Sequence, residues 1–121
     1  MVSIEDFRKL EIKAAKVLEV NLHPCADRLY VLKVLLGTLE SKNETTGEVI
    51  STPEVREIVA GIRPYYTPEE LIGKQVIILT NLESATIRGV QSNGMLLATK
   101  DGDNLSILTL DRPIKEGSVI S

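Results

Sequence analysis

The chain has 121 residues, enough for one domain with a buried core but not for two, and its 43% hydrophobic and 26% charged composition is that of an ordinary globular protein. No apolar run approaches the roughly 20 residues a membrane-spanning helix needs, and the N-terminal "MVSIEDFRKL" is neither a secretory signal nor an Arg-rich transit peptide, so a cytoplasmic, membrane-free location is expected. The formal net charge of −3 argues against a polyanion partner at first sight, yet residues 40–57 hold five acids and two bases and account for all of it. The single cysteine rules out an internal disulfide, and 3% aromatic residues require an aliphatic core and leave little for base stacking.

In chain order, "SIEDFRKL" (3–10) offers Ser3 as a helix cap with acids in the first turn. "LEIKAAKVLEV" (10–20) alternates like a long strand, with a bulge or sharp bend near Ala15 where the alternation breaks. "LYVLKVLLG" (29–37) is almost continuously apolar and reads as a central strand, its one charge, Lys33, sharing a face with Leu29, Val31 and Leu35. The polar, acidic stretch 38–56 reads as a loop inserted between strands two and three. "REIVAGIR" (56–63) is the third strand. "TPEELIG" (67–73) then has the signals of a short helix: Thr67 as cap, Pro68 in the first turn, Glu70 to complete a capping box and Gly73 to end it. "QVIILTNL" (75–82), "GMLLATK" (94–100) and "NLSILTL" (104–110) are further strands, the last two joined by the hairpin signal "DGD" (101–103).

This order predicts an all-β domain spanning 1–121: an OB-fold five-stranded barrel with one short helix between strands three and four and small terminal extensions. Element order alone also admits an SH3-like barrel or a small sandwich.

Two strings stand out as candidate sites. "HPCADR" (23–28) holds the only histidine and the only cysteine. A nucleophile needs a base and an orienting third group, and a zinc site needs three or four ligands. Neither set is apparent, so no catalytic residue, metal ligand or cofactor is assigned. The plainer reading is a turn in which Pro24 holds His23 extended and Asp27 accepts backbone N–H bonds. "RGVQSNGMLLA" (88–98) contains a turn at Ser92-Asn93-Gly94, in which Gly94 suits positive φ and Asn93 tolerates it. It is either a tight loop with Met95 in the core, or a place where Ser92 and Asn93 offer donors to phosphate or ribose beside an exposed Met95. Lys13, Arg28, Lys33 and Arg63 are scattered in sequence, but a barrel would let them converge on one outer face, with Arg88 as a further cation.

Taken together, "DFRKLEIKAAKV", "HPCADRLYVLKVLLG", "REIVAG", "YTPEELIGKQVIILTNL" and "RGVQSNGMLLA", in that order, resemble the tRNA-binding domain family. That family includes methionyl-tRNA synthetase C-terminal and beta-subunit domains, free-standing tRNA-binding proteins and EMAP II-like domains. The resemblance covers nearly the whole chain except 38–56. It implies an OB-fold that binds tRNA by shape, without catalysis, as a free-standing homodimer or alongside a methionyl-tRNA synthetase catalytic subunit. It places Arg28, Lys33, Ser92, Asn93 and Met95 at the RNA, with Lys13, Arg63 and Arg88 as supporting cations, and makes His23, Pro24, Asp27 and Gly94 loop-shaping residues. The alternative is a dimeric protein-interaction module of the CsaA chaperone kind. The acidic balance, the apolar second strand, and "ESAT" (83–86) where the family usually runs basic all favour it.

Overall fold

The computed structural model describes residues 1–121. Ser3 caps α1 (Ile4–Arg8), its hydroxyl accepting the Asp6 N–H at 3.1 Å. There follow β1 (Ile12–Leu22), β2 (Tyr30–Lys42), β3 (Val49–Ala60), α2 (Pro68–Leu71) and β4 (Gln75–Leu79). The C-terminal part holds β5 (Ala85–Ile87), β6 (Val90–Ser92), β7 (Met95–Leu96), β8 (Ala98–Asp101) and β9 (Asn104–Ile107). The main sheet is antiparallel in the order β3-β2-β1-β4-β7, and two hairpins, β5-β6 and β8-β9, complete an OB-like barrel. The all-β reading with its short helix therefore holds. No helix is long and apolar enough to cross a membrane.

The first strand makes the curl. Residues 12–16 of β1 pair with β4, residues 16–22 pair with β2, and the strand changes sides around Lys16. The irregularity expected near Ala15 is a register shift between Val17 and Glu19. Ala14 and Ala15 are both buried because the bending strand turns successive residues inward. On β2, Tyr30, Leu32, Val34 and Leu36 face the core, while Lys33 and Leu35 stand on the outer face. The core is aliphatic, as the composition requires: Val17, Leu32, Val34, Ile58, Val76 and Ile78 are fully buried. Each such side chain contributes about 1.5–3 kcal/mol by leaving water. Tyr30 is the aromatic member of the core, and its hydroxyl donates to the Tyr66 carbonyl at 2.7 Å. The helix "TPEELIG" forms as its capping box predicts, with Thr67 and Glu70 bonded reciprocally, and it drives Leu71 into the barrel.

Two elements differ from expectation. Residues 38–56 are not a loop: β2 continues to Lys42 and β3 starts at Val49, with pairing from Thr38↔Pro53 out to Lys42↔Val49. Only 43–48 connect the strands, held by the Asn43 side chain accepting the Thr45 N–H at 2.9 Å. A two-stranded arm that leaves the barrel has no buried face, so its few apolar residues, Leu39, Val49, Ile50 and Val55, stay exposed among polar ones without regular alternation, and the stretch looks like a loop in sequence. Segment 94–100 is likewise not one strand. It leaves the main sheet at Leu97, so that β7 pairs with β4 while β8 pairs with β9 across the expected "DGD" turn.

Candidate nucleic-acid interface

The free edge of β3 must be satisfied for the barrel to close, and the Ser92-Asn93-Gly94 turn does it. Val59 N–H donates to the Ser92 hydroxyl at 3.0 Å, that hydroxyl donates to the Gly94 carbonyl at 3.1 Å, and Asn93 N–H donates to the Glu57 carbonyl at 2.9 Å. Ser92 is 4% exposed. This corrects the expectation that its hydroxyl is offered to RNA: the hydroxyl is occupied on both sides and acts as a side-chain rung between β3 and the turn. Gly94 has φ +143° and no room for a side chain, since a Cβ there would lie 2.9 Å from Ile58 Cδ1 and 3.1 Å from the Leu79 carbonyl oxygen. Asn93 does not share the positive φ. Its side chain lies at a surface depression beside Arg56, Leu82 and Ser84. Arg56 ties this turn to the end of β4, donating to the carbonyls of Thr80 at 2.6 Å and Asn93 at 3.4 Å while pairing with Glu54 at 2.9 Å. Sequence reading missed Arg56, because nothing local distinguishes it from a solvated arginine.

The "HPCADR" segment links β1 to β2, and His23 is its interior anchor, 4% exposed. Its Nδ1 accepts the Cys25 N–H at 3.0 Å, so the ring proton sits on Nε2, which donates to the Ile87 carbonyl at 3.0 Å. Both nitrogens are engaged with backbone, which leaves neither as a base for the exposed Cys25. Pro24 and Asp27 lie exposed on the same turn. Cys25→Ser should therefore shift the thermal midpoint by no more than about 1 °C, a change of a few tenths of a kcal/mol. A larger fall in a thermal melt would mean that the thiol has a structural role.

The cations do not gather as expected. Arg28 lines a depression of about 380 Å³ together with Cys25, Ala26, Asp27, Leu29 and Arg88. Its companion is thus Arg88, from the β5-β6 turn, and neither arginine has an ion-pair partner. Arg88 and Gly89 form a two-residue hairpin loop with φ +51° and +88°, and Arg88 is the one non-glycine residue with positive φ. Such a turn favours Asn, Asp or Gly. Lys33 is on the outer face but pairs with Glu19 at 3.5 Å and stands opposite Glu57, so much of its charge is offset. Lys13 belongs to the other end of β1, in a depression shared with Gly37, Glu54 and Glu116. Arg63 is half-buried and follows Ala60, the partner of Tyr30, which puts it at the same end of the barrel as the His23 turn. Met95 is 44% exposed on β7, outside the core. No sequence signal announces that Arg28 and Arg88 share a depression, since it depends on a bond from the His23 ring to the Ile87 carbonyl, 64 residues away.

The chain is 46% identical over 119 residues to the methionine–tRNA ligase of Thermococcus kodakarensis, covering 98% of this chain and 14% of that protein, so it spans about a seventh of such a relative. The solved MetRS-related protein of Pyrococcus horikoshii has the same fold, with a TM-score of 0.80 at 24% identity over 100% of this chain and 98% of that one. The CsaA chaperone protein of Picrophilus torridus follows with a TM-score of 0.79 and 26% identity over 100% of both chains. Residues 12–119 match the family model described as a tRNA binding domain, and the chain belongs to that tRNA-binding domain family.

Proposed function

We propose that this chain binds tRNA at the barrel rim formed by the "HPCADR" turn and the β5-β6 hairpin, reading backbone and shape rather than base sequence. The observation that carries the reading is the convergence of Arg28 and Arg88, both exposed and free of ion pairs, on one depression of a tRNA-binding domain. Guanidinium groups suit phosphate because their planar fork matches its oxygens. Arg63, Met95 and the Asn93 side chain extend the surface, Lys33 contributes less because of Glu19 and Glu57, and Ser92 and Gly94 keep its walls in place. The role is binding without catalysis, in the cytoplasm and in company with a methionyl-tRNA synthetase catalytic part. A homodimer would raise effective affinity without new contacts.

A mobility shift with total tRNA at two salt concentrations tests this, beside light scattering for mass. Retardation at low salt that weakens as salt rises is expected, because released counterions set the dependence. Arg28→Ala should reduce affinity several-fold more than Lys33→Ala. Absence of retardation, or retardation indifferent to salt, sinks the reading.

The second reading is a protein-interaction module, favoured by the full-length likeness to a CsaA chaperone and by the acidic arm of β2 and β3. Retention of an unfolded polypeptide, but not of tRNA, by the purified protein would select it.

A further inference from the structure

The geometry points to a clamp for a single phosphate group, with Arg28 and Arg88 as its two jaws and His23 as the positioning residue that sets their spacing. This rests on the reading of the chain as a tRNA binder and specifies how one subsite of that surface is built.

Three observations carry it. Arg88 occupies a turn position with φ +51° that a non-glycine residue adopts at a loss of stability, and asparagine or glycine would fit better. Strain of this kind persists where the side chain is needed. Next, both arginines line one open depression and neither has an ion-pair partner. Asp27, the one acid on its lining, makes no ion pair with either, so the depression keeps a net positive charge. Its lining holds no aromatic ring on which a base would stack, which selects phosphate over a splayed nucleotide. Finally, the two arginines come from separate loops, and the buried His23 ring bonds to both: to Cys25 N–H in the loop of Arg28, and to the carbonyl of Ile87, the neighbour of Arg88. One imidazole therefore sets the distance between the jaws.

The test is a tRNA mobility-shift titration over a salt series with the full chain, Arg28→Ala, Arg88→Asn and the double variant. If both arginines grip one phosphate, each single replacement lowers affinity about tenfold, and the double variant falls no more than about threefold further. The slope of log affinity against log salt should drop by about 0.7–0.9 in all three variants. Arg88→Asn should also raise the melting temperature while it weakens binding. Additive losses near a hundredfold, with twice the drop in slope, would overturn the clamp in favour of two separate phosphates.

His23→Asn keeps an acceptor for Cys25 N–H but loses the donor to Ile87, whereas His23→Gln restores a donor near the Nε2 position. Affinity should fall in the first and recover in the second, with the salt slope unchanged in both. Equal losses that follow thermal stability would reduce His23 to a structural residue. Should the unaltered chain fail to bind tRNA, the function reading falls on its own. The clamp is then decided by titrating inorganic phosphate against the arginine Nε–H resonances. Signals of Arg28 and Arg88 that move together support it, and signals that stay still or move singly overturn it.

Discussion

Gly94→Ala should lower stability by about 2–5 kcal/mol and the thermal midpoint by roughly 8–20 °C, the sum of a strained backbone and an overpacked core. At φ +143° the backbone is unfavourable to any side chain, and the new methyl would meet Ile58 Cδ1 at 2.9 Å, the Leu79 carbonyl oxygen at 3.1 Å and Ile78 Cγ2 at 3.2 Å. The isoleucine methyl can yield, but the carbonyl cannot. Ile58→Val removes Cδ1, so adding it to Gly94→Ala should recover part of the loss, although alone it costs about 0.5–1.5 kcal/mol. A circular-dichroism melt reads both effects. An unchanged midpoint for Gly94→Ala would mean that the turn closes the barrel more loosely than these contacts require.

Arg56→Ala should cost about 2–4 kcal/mol, the other large effect outside the apolar core. The side chain gives hydrogen bonds to Thr80 and Asn93 carbonyls that otherwise lack this donor, and it balances Glu54, whose side chain is only 16% exposed. Removing one partner of a shielded pair leaves the other charge uncompensated. The 30% exposure of Arg56 itself puts the value below that of a fully buried pair. Arg56→Lys should rescue little, because one ammonium cannot reach three acceptors in a plane. Denaturant unfolding should show a lower midpoint with the same slope. A loss under about 0.5 kcal/mol would show that β4 and the 92–94 turn hold together without Arg56.

The features legible in the sequence are those whose cause is local. The capping box of Thr67 and Glu70, the Ser3 cap and the turn between Asp101 and Asn104 each depend on residues two to four apart, so their chemistry can be read directly from the string. The inward side of β2 was readable for a similar reason, since strand alternation has a fixed period. Residues 38–56 misled because a ribbon exposed on both faces has no apolar alternation to show. Ser92 misled because a hydroxyl beside Asn and Gly has the same appearance whether it faces a ligand or replaces a rung of a sheet. The deciding fact, Val59 N–H at 3.0 Å, comes from a strand far away in the chain.

By itself the sequence determined a β-rich fold with an aliphatic core and capped helices, because composition, periodicity and short-range hydrogen bonding are properties of neighbouring residues, while its quoted motifs carried the resemblance to the tRNA-binding domain family. Only the tertiary structure decided which cations share a depression. The bend in β1 gives β4 and β2 opposite halves of one strand, curls the sheet, and brings the His23 turn against the β5-β6 hairpin, so that Arg28 meets Arg88 while Lys13 is carried to another face. That choice rests on long-range pairing and on one buried imidazole, neither of which has a counterpart in the spacing of residues along the chain.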